Sequence, residues 1–155
     1  MKKQICYLFL LSLISISCNF NSHYTNREID REEAERVTTK FYYLLRDKNH
    51  KNTFELFSQK FLEITDTTQL NEIYITSDEK LGNITDQTLL SWETNIIEGS
   101  NPVSEYLLVY NVKRNKFDSK EIIRLEKENG VIKILAYNVS SDGFFDSESK
   151  IKTTR

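Results

Sequence analysis

The chain is poor in the residues that most often carry out chemistry in proteins. Its 155 residues include two cysteines, two histidines, one proline and four glycines. The histidines, His23 and His50, stand in polar segments far from each other, so neither a histidine-centred acid–base pair nor a Ser-His-Asp or Cys-His arrangement has a candidate. Four scattered glycines do not form a phosphate-binding loop. The sequence therefore predicts no catalytic residue, no metal and no cofactor.

The chain also lacks a strong excess of either charge. Its formal net charge is −2, and this balance excludes the basic face that nucleic-acid binding requires. Apolar residues make up 39% and charged residues 28% of the chain, which is ordinary for a folded domain and argues against disorder throughout. The length fits one domain with a single core.

No apolar run is as long as the roughly 20 residues that a membrane-spanning helix needs. The longest, at residues 5–16, follows the basic start Met1-Lys2-Lys3 and ends in Ser15-Ile16-Ser17-Cys18. A short basic start, an apolar stretch and small residues are typical of a signal peptide. The end of the run resembles the lipobox of bacterial lipoproteins, whose signal is cut before a cysteine that receives a diacyl lipid.

The count of cysteines fits this interpretation. Cys6 lies within the signal, so cleavage leaves Cys18 alone and excludes an internal disulfide. We expect a signal peptide at 1–17, followed by lipidated Cys18 and a polar tether up to residue 29. The lipid makes the membrane a partner and places the protein in the bacterial cell envelope. The alternative is a plain secretory signal with an incidental cysteine.

Apolar spacing predicts three helices in the first half of the chain. Residues 30–48 carry an apolar stripe of period three to four, with Asp30 and Glu33 as a candidate capping box. A short helix over 53–58 follows. A third helix begins at Asp66, with Gln69 as its partner in a capping box, and Gly82 is expected to end it.

The second half reads as strands at 87–98, 103–113, 119–128 and 131–139. Asn129-Gly130 joins the last two, and this dipeptide strongly favours a tight hairpin turn. Helices followed by an antiparallel sheet of about four strands predict an α+β domain over 30–140, with the helices on one face. Residues 141–155 are expected to form a polar tail.

Several short motifs occur in an order that is typical of one family. They are Phe41-Tyr-Tyr-Leu-Leu45, Phe54-Glu-Leu-Phe-Ser58, Ser91-Trp92, Tyr106-Leu-Leu-Val-Tyr110 and the strand after Gly130. The chain resembles the nuclear-transport-factor-2-like (cystatin-like) domains of small exported bacterial proteins. The resemblance implies a curved sheet wrapped around its helices into a cone. It carries no activity, because members of that superfamily have many functions.

Five aromatic residues are the candidates for lining such a cone: Tyr42, Trp92, Tyr106, Tyr110 and Tyr137. They either form a pocket for a small amphipathic ligand or fill the cone as core, and filling is the interpretation we favour. A carboxylate mechanism using Glu93 with Tyr106 or Tyr110 is a further alternative. Glutamates that alternate along a strand more often form its solvated face.

The sequence thus predicts a lipid-anchored envelope protein that is not an enzyme and serves as a binding or assembly module. The alternative is a small-molecule-binding protein or vestigial enzyme that uses the cone interior. Leu107 and Val109 lie on the second face of their strand. A homodimer or a contact with another envelope protein through that sheet face would use them.

Overall fold

The computed structural model of the protein describes residues 21–145. The predicted signal peptide, Cys18 and residues 146–155 of the predicted tail lie outside this range. Four α-helices, two short 3₁₀ helices (Phe54–Leu56 and Asp142–Phe144) and five strands are formed in the described part. The helices are α1 (Glu28–Arg46), α2 (His50–Thr53), α3 (Gln59–Ile64) and α4 (Thr67–Leu81). The strands are β1 (Ser22–Thr25), β2 (Ile84–Glu98), β3 (Val103–Arg114), β4 (Ser119–Glu128) and β5 (Val131–Ser140).

The strands form one antiparallel sheet in the order β1-β2-β3-β4-β5. The predicted α+β class is confirmed, with five strands rather than about four. The turn between β4 and β5 is formed by Asn129 and Gly130, whose φ angles are 50° and 80°. Both values lie in the left-handed region that the predicted hairpin turn requires, and Glu128 pairs with Val131 directly beside it.

The additional strand is β1, which replaces part of the tether predicted over 18–29. Ser22 pairs with Glu98, and Thr25 pairs with Asn95, so the chain joins the sheet before α1 begins. Tyr24 packs against the core, whereas His23 and Thr25 remain exposed. The predicted tether is too long, because part of this polar segment becomes ordered by pairing with a strand that lies about seventy residues later.

The third predicted helix is confirmed together with both of its ends. The Asp66 carboxylate accepts a hydrogen bond from the Gln69 backbone N–H (2.8 Å), and the Gln69 side chain accepts one from the Asp66 N–H. Gly82 ends the helix with φ of 84°. The cap predicted for the first helix is wrong: α1 begins at Glu28, and the Asp30 carboxylate is instead bound by the Arg27 guanidinium at 2.7 and 2.9 Å.

The two faces of the sheet differ in burial. The inner face meets the helices, and its residues on β3, β4 and β5 are almost completely buried: Tyr106, Leu108, Tyr110, Val112, Ile123, Leu125, Ile134 and Tyr137. Register shifts in β2 near Leu90 and in β5 near Leu135 mark bulges. A bulge adds one residue to a strand and so shifts the alternation of its side chains by one position. Residues on both sides of each bulge therefore still face inward in step with the neighbouring strand. The core lies between this inner face and α1.

Candidate functional site

The inner face is filled by the aromatic side chains that were candidates for a pocket. Tyr42, Tyr106 and Tyr110 are at most 4% exposed, and Tyr137 is 9% exposed. The Tyr42 and Tyr110 rings pack edge to face with centroids 5.1 Å apart. Trp92 is half-buried at the margin of the same cluster. This arrangement brings four of the five residues together as packed core.

A charged pair that was not among the predicted site residues is buried among these tyrosines. Arg114 donates to Glu121 Oε1 at 2.8 Å, and both side chains are almost wholly buried. Glu121 Oε2 accepts hydrogen bonds from the hydroxyls of Tyr137 (2.8 Å) and Tyr42 (3.1 Å). Ser119 Oγ donates to Glu121 Oε1 at 2.9 Å. Each carboxylate oxygen therefore has two partners, which suits a structural role in holding α1 on the sheet.

A signal for this pair was present in the alternation of residues along the strands. Glu121 follows Ser119 and precedes Ile123 on the inner face of β4, and Arg114 continues the inner series of β3 after Val112. A charged residue that falls in phase with core positions must be paired or neutralised. The alternation along β3 and β4 therefore marks Arg114 and Glu121 as charges at inward-facing positions.

Burial shifts the pKa values of the tyrosines that surround this pair. Desolvation, followed by the nearby Glu121 charge, raises the pKa of Tyr42 and of Tyr137 well above the ordinary value. Burial raises the pKa of Tyr106 and of Tyr110 to about 12. These phenols therefore stay protonated at neutral pH, and those of Tyr42 and Tyr137 donate hydrogen bonds to Glu121.

The outer face of the sheet carries a patch of apolar side chains that no helix of residues 21–145 covers. We call it the outer stripe; its members are Leu107, Val109, Ile122, Leu135 and Ala136. All five are half-buried, and neighbouring members lie on adjacent strands, since Val109 pairs with Ile122. An apolar surface of this kind, bordered by polar side chains, marks interaction sites on proteins.

A groove of about 520 Å³ crosses one end of the outer stripe. Leu107 and Leu135 contribute to its apolar lining. Leu107 of β3 pairs with Glu93 of β2 on one side and with Arg124 of β4 on the other, so the two charged residues flank it. Neither Glu93 nor Arg124 has an ion-pair partner within residues 21–145. The groove thus offers two carboxylates, one guanidinium and an apolar floor to a ligand.

The polar margin of the groove is a chain of hydrogen bonds across three strands. His23 Nε2 and Asn95 Oδ1 are 2.7 Å apart, and Asn95 Nδ2 donates to Glu105 at 3.1 Å. These bonds fix the side chains of β1 to those of β2 and β3. His23, predicted as a solvated tether residue, is exposed yet belongs to this ordered margin.

The alternative carboxylate mechanism is not supported by the geometry. Glu93 is exposed on the outer face, whereas the side chains of Tyr106 and Tyr110 are buried on the inner face. The sheet itself therefore separates the carboxylate from both phenols. His50, predicted in a loop, begins α2 and packs against the Tyr74 ring at 5.0 Å.

Within the described residues, no group of three or more histidines, cysteines or acids could hold a metal ion. No helix among residues 21–145 has the length and apolar character needed to cross a bilayer. No known family model matches the chain, and no curated protein matches its sequence.

Proposed function

We propose that the protein is a lipid-anchored component of the bacterial envelope that assembles with a second protein chain through the outer stripe. It holds no catalytic centre in this proposal, and its domain is of the nuclear-transport-factor-2-like type. The observation that carries the assembly role is the contrast between the two faces of the sheet. The inner face is filled by its own side chains, and the outer face keeps apolar residues at its surface.

Two further observations support this function. The hydroxyls of Tyr42 and Tyr137 donate to Glu121, and the Tyr110 hydroxyl lies 2.7 Å from Thr38 Oγ1, so these three tyrosines are engaged within the domain itself. Glu93 and Arg124, which have no ion-pair partner among residues 21–145, flank the apolar floor, as charged residues do at the rim of a protein interface. The anchor at Cys18 rests on the basic start, the apolar run and the small residues before that cysteine.

The assembly role predicts an effect of one substitution in the outer stripe. Leu107→Arg places a charge in the middle of the apolar floor, and we expect it to abolish a non-covalent assembly, because burying an unpaired charge is costly. The measurement compares the masses of the full protein, purified from its own host in mild detergent, in native and in denaturing mass spectrometry. The wild type is expected as a dimer or as a complex with another envelope protein.

Ile75→Arg is the matched control, because Ile75 is an exposed apolar residue on α4, away from the outer stripe. This variant is expected to assemble like the wild type. A bare monomer in the wild type would overturn the assembly role. Extra mass of a small molecule, lost on denaturation, would favour the alternative function as a small-molecule-binding protein.

The anchor predicts a separate result. Cys18→Ser removes the thiol that would carry the lipid, so we expect the variant to leave the membrane fraction and to lose incorporation of labelled palmitate. Cys6→Ser, within the predicted signal, is the matched control and is expected to retain both properties. Unchanged membrane retention and labelling in Cys18→Ser would contradict lipidation at this cysteine.

A further inference from the structure

The strand β5 lies at the edge of the sheet, and the first half of this edge is already covered. Phe57 forms a parallel bridge with Ile134, and the Ser58 N–H donates to the Ile134 carbonyl at 2.9 Å. Lys133 Nζ donates to the Glu55 carbonyl beside them. Between the 3₁₀ helix Phe54–Leu56 and α3, Phe57 and Ser58 therefore cover this half of β5.

The second half of the edge has unpaired backbone groups. In a strand the side-chain face and the direction of the backbone groups alternate together. Because the bulge adds Leu135, Tyr137 and Val139 lie on the inner face together with Ile134. Their N–H and C=O groups therefore point toward the same edge of the sheet as those of Ile134. Neither residue's backbone has a hydrogen-bond partner outside the β4–β5 ladder within residues 21–145.

In the described part of the chain, this half of the edge also lacks charge and proline, two features that commonly protect an edge against strand addition. Exposed edges normally carry charges, proline or a bulge that discourages another chain from pairing. The segment Leu135–Ser140 contains neither charge nor proline, and its bulge at Leu135 lies before the free part. The free part of β2, at the other side of the sheet, has Asp86, Glu93 and two register shifts.

A helix stands opposite the free edge and completes a groove. The groove between α4 and β5 has a volume of about 630 Å³. Ile73, Val139 and Phe144 give it an apolar floor, and Gln69 and Thr76 supply polar groups on the α4 wall. Glu72 is the one charged residue in its lining, is exposed, and has no ion-pair partner in the described part of the chain.

We propose that this groove binds an extended peptide segment of another protein, which adds to the Tyr137–Ser140 edge as a further strand. The occupant is an extended chain because only another backbone supplies donors and acceptors that alternate at the spacing of a strand. Apolar side chains at alternate positions of the peptide contact the floor, and a lysine or arginine lies beside Glu72. The site is on a different surface from the outer stripe and does not depend on it.

The test uses a library of random peptides of about ten residues, the upper range of strand length, against the full chain in mild detergent. We expect selected peptides to alternate apolar residues and to carry a lysine or arginine.

Val139→Pro removes one edge N–H and is expected to weaken binding about tenfold. Glu72→Lys is expected to reverse the preference from basic to acidic peptides. In the complex, hydrogen exchange at the Tyr137 and Val139 amides slows.

Ile73→Glu leaves the strand untouched and places a charge on the apolar floor. It is expected to weaken binding even if Val139→Pro disturbs the fold. Leu107→Arg is the matched control, expected to bind peptide like the wild type. The proposal is overturned by a library without selected peptides, by binding that both groove variants leave unchanged, or by binding that Leu107→Arg abolishes. A second copy of the chain that occupies the edge and excludes peptides would also overturn it.

Discussion

Replacing Glu121 with leucine is expected to lower the free energy of unfolding by about 3–5 kcal/mol, because the change leaves a buried charge without its partner. The Arg114 side chain is only 2% exposed and would lose its 2.8 Å ion pair. The hydroxyls of Tyr42 and Tyr137 would lose their acceptor at the same time. Arg114 keeps Asp78 within 3.5 Å, so the lower part of this range is expected. Urea denaturation at neutral pH measures the effect.

The double variant Arg114→Met/Glu121→Leu is the informative comparison. Replacing a whole buried ion pair with apolar residues of similar volume is often neutral or stabilising, so the double variant is expected to be more stable than Glu121→Leu alone. Arg124→Met removes an exposed arginine from the outer face and should change stability by less than about 0.5 kcal/mol. A Glu121→Leu protein as stable as the wild type would show that this pair is not buried in solution.

Stability is also expected to fall steeply in alkaline solution. The pKa values of Tyr42, Tyr74 and Tyr137 are raised well above the ordinary value, and those of Tyr106 and Tyr110 are raised to about 12. Below pH of about 10 both states hold their phenolic protons, and the full stability is present. Above it the unfolded chain loses protons that the folded chain keeps, so the free energy of unfolding falls as pH rises.

The slope of this fall is about 1.4 kcal/mol per pH unit for each proton that only the folded state retains. Denaturant titrations between pH of about 9 and 12 measure it. Tyr110→Phe removes one buried phenol and is expected to make the slope shallower by about that amount. Tyr43→Phe is the matched control, since it removes a phenol that is 61% exposed and lies next to buried Tyr42 in α1. Stability that does not change over this range would contradict the burial of these phenols.

The parts of the fold that sequence could predict are those fixed by neighbouring residues. The Asn129-Gly130 turn needs only the φ angles of two residues, and the cap of α4 needs only Asp66 and Gln69, three residues apart. Gly82 ends α4 for the same local reason. The antiparallel sheet followed from these turns and from the alternation of apolar residues, since short connections place consecutive strands side by side.

The features that sequence did not predict depend on residues far apart in the chain. The strand β1 has only four residues and is held by Asn95 to Glu98 of β2. The burial of Glu121 depends on Tyr42 in α1, which lies 79 residues earlier. Glu93 is an alternative catalytic partner of Tyr110 by sequence. The bulge near Leu90 and the alternation of β2 place Glu93 on the outer face of the sheet, whereas Tyr110 lies on the inner face. The alternation along β4 places Glu121 in phase with the core, but its partners in α1 and β5 are set by tertiary packing.

The early start of β1 limits how far the domain can stand from a lipid at Cys18. Four residue steps separate Cys18 from Ser22, and an extended chain of that length spans at most about 14 Å. With the proposed anchor, the β1 edge and its hydrogen-bonded margin at His23 would stay close to the lipid headgroups. The domain could then turn about the membrane normal but could not reach across the periplasm. A partner would have to be in, or brought to, the same membrane.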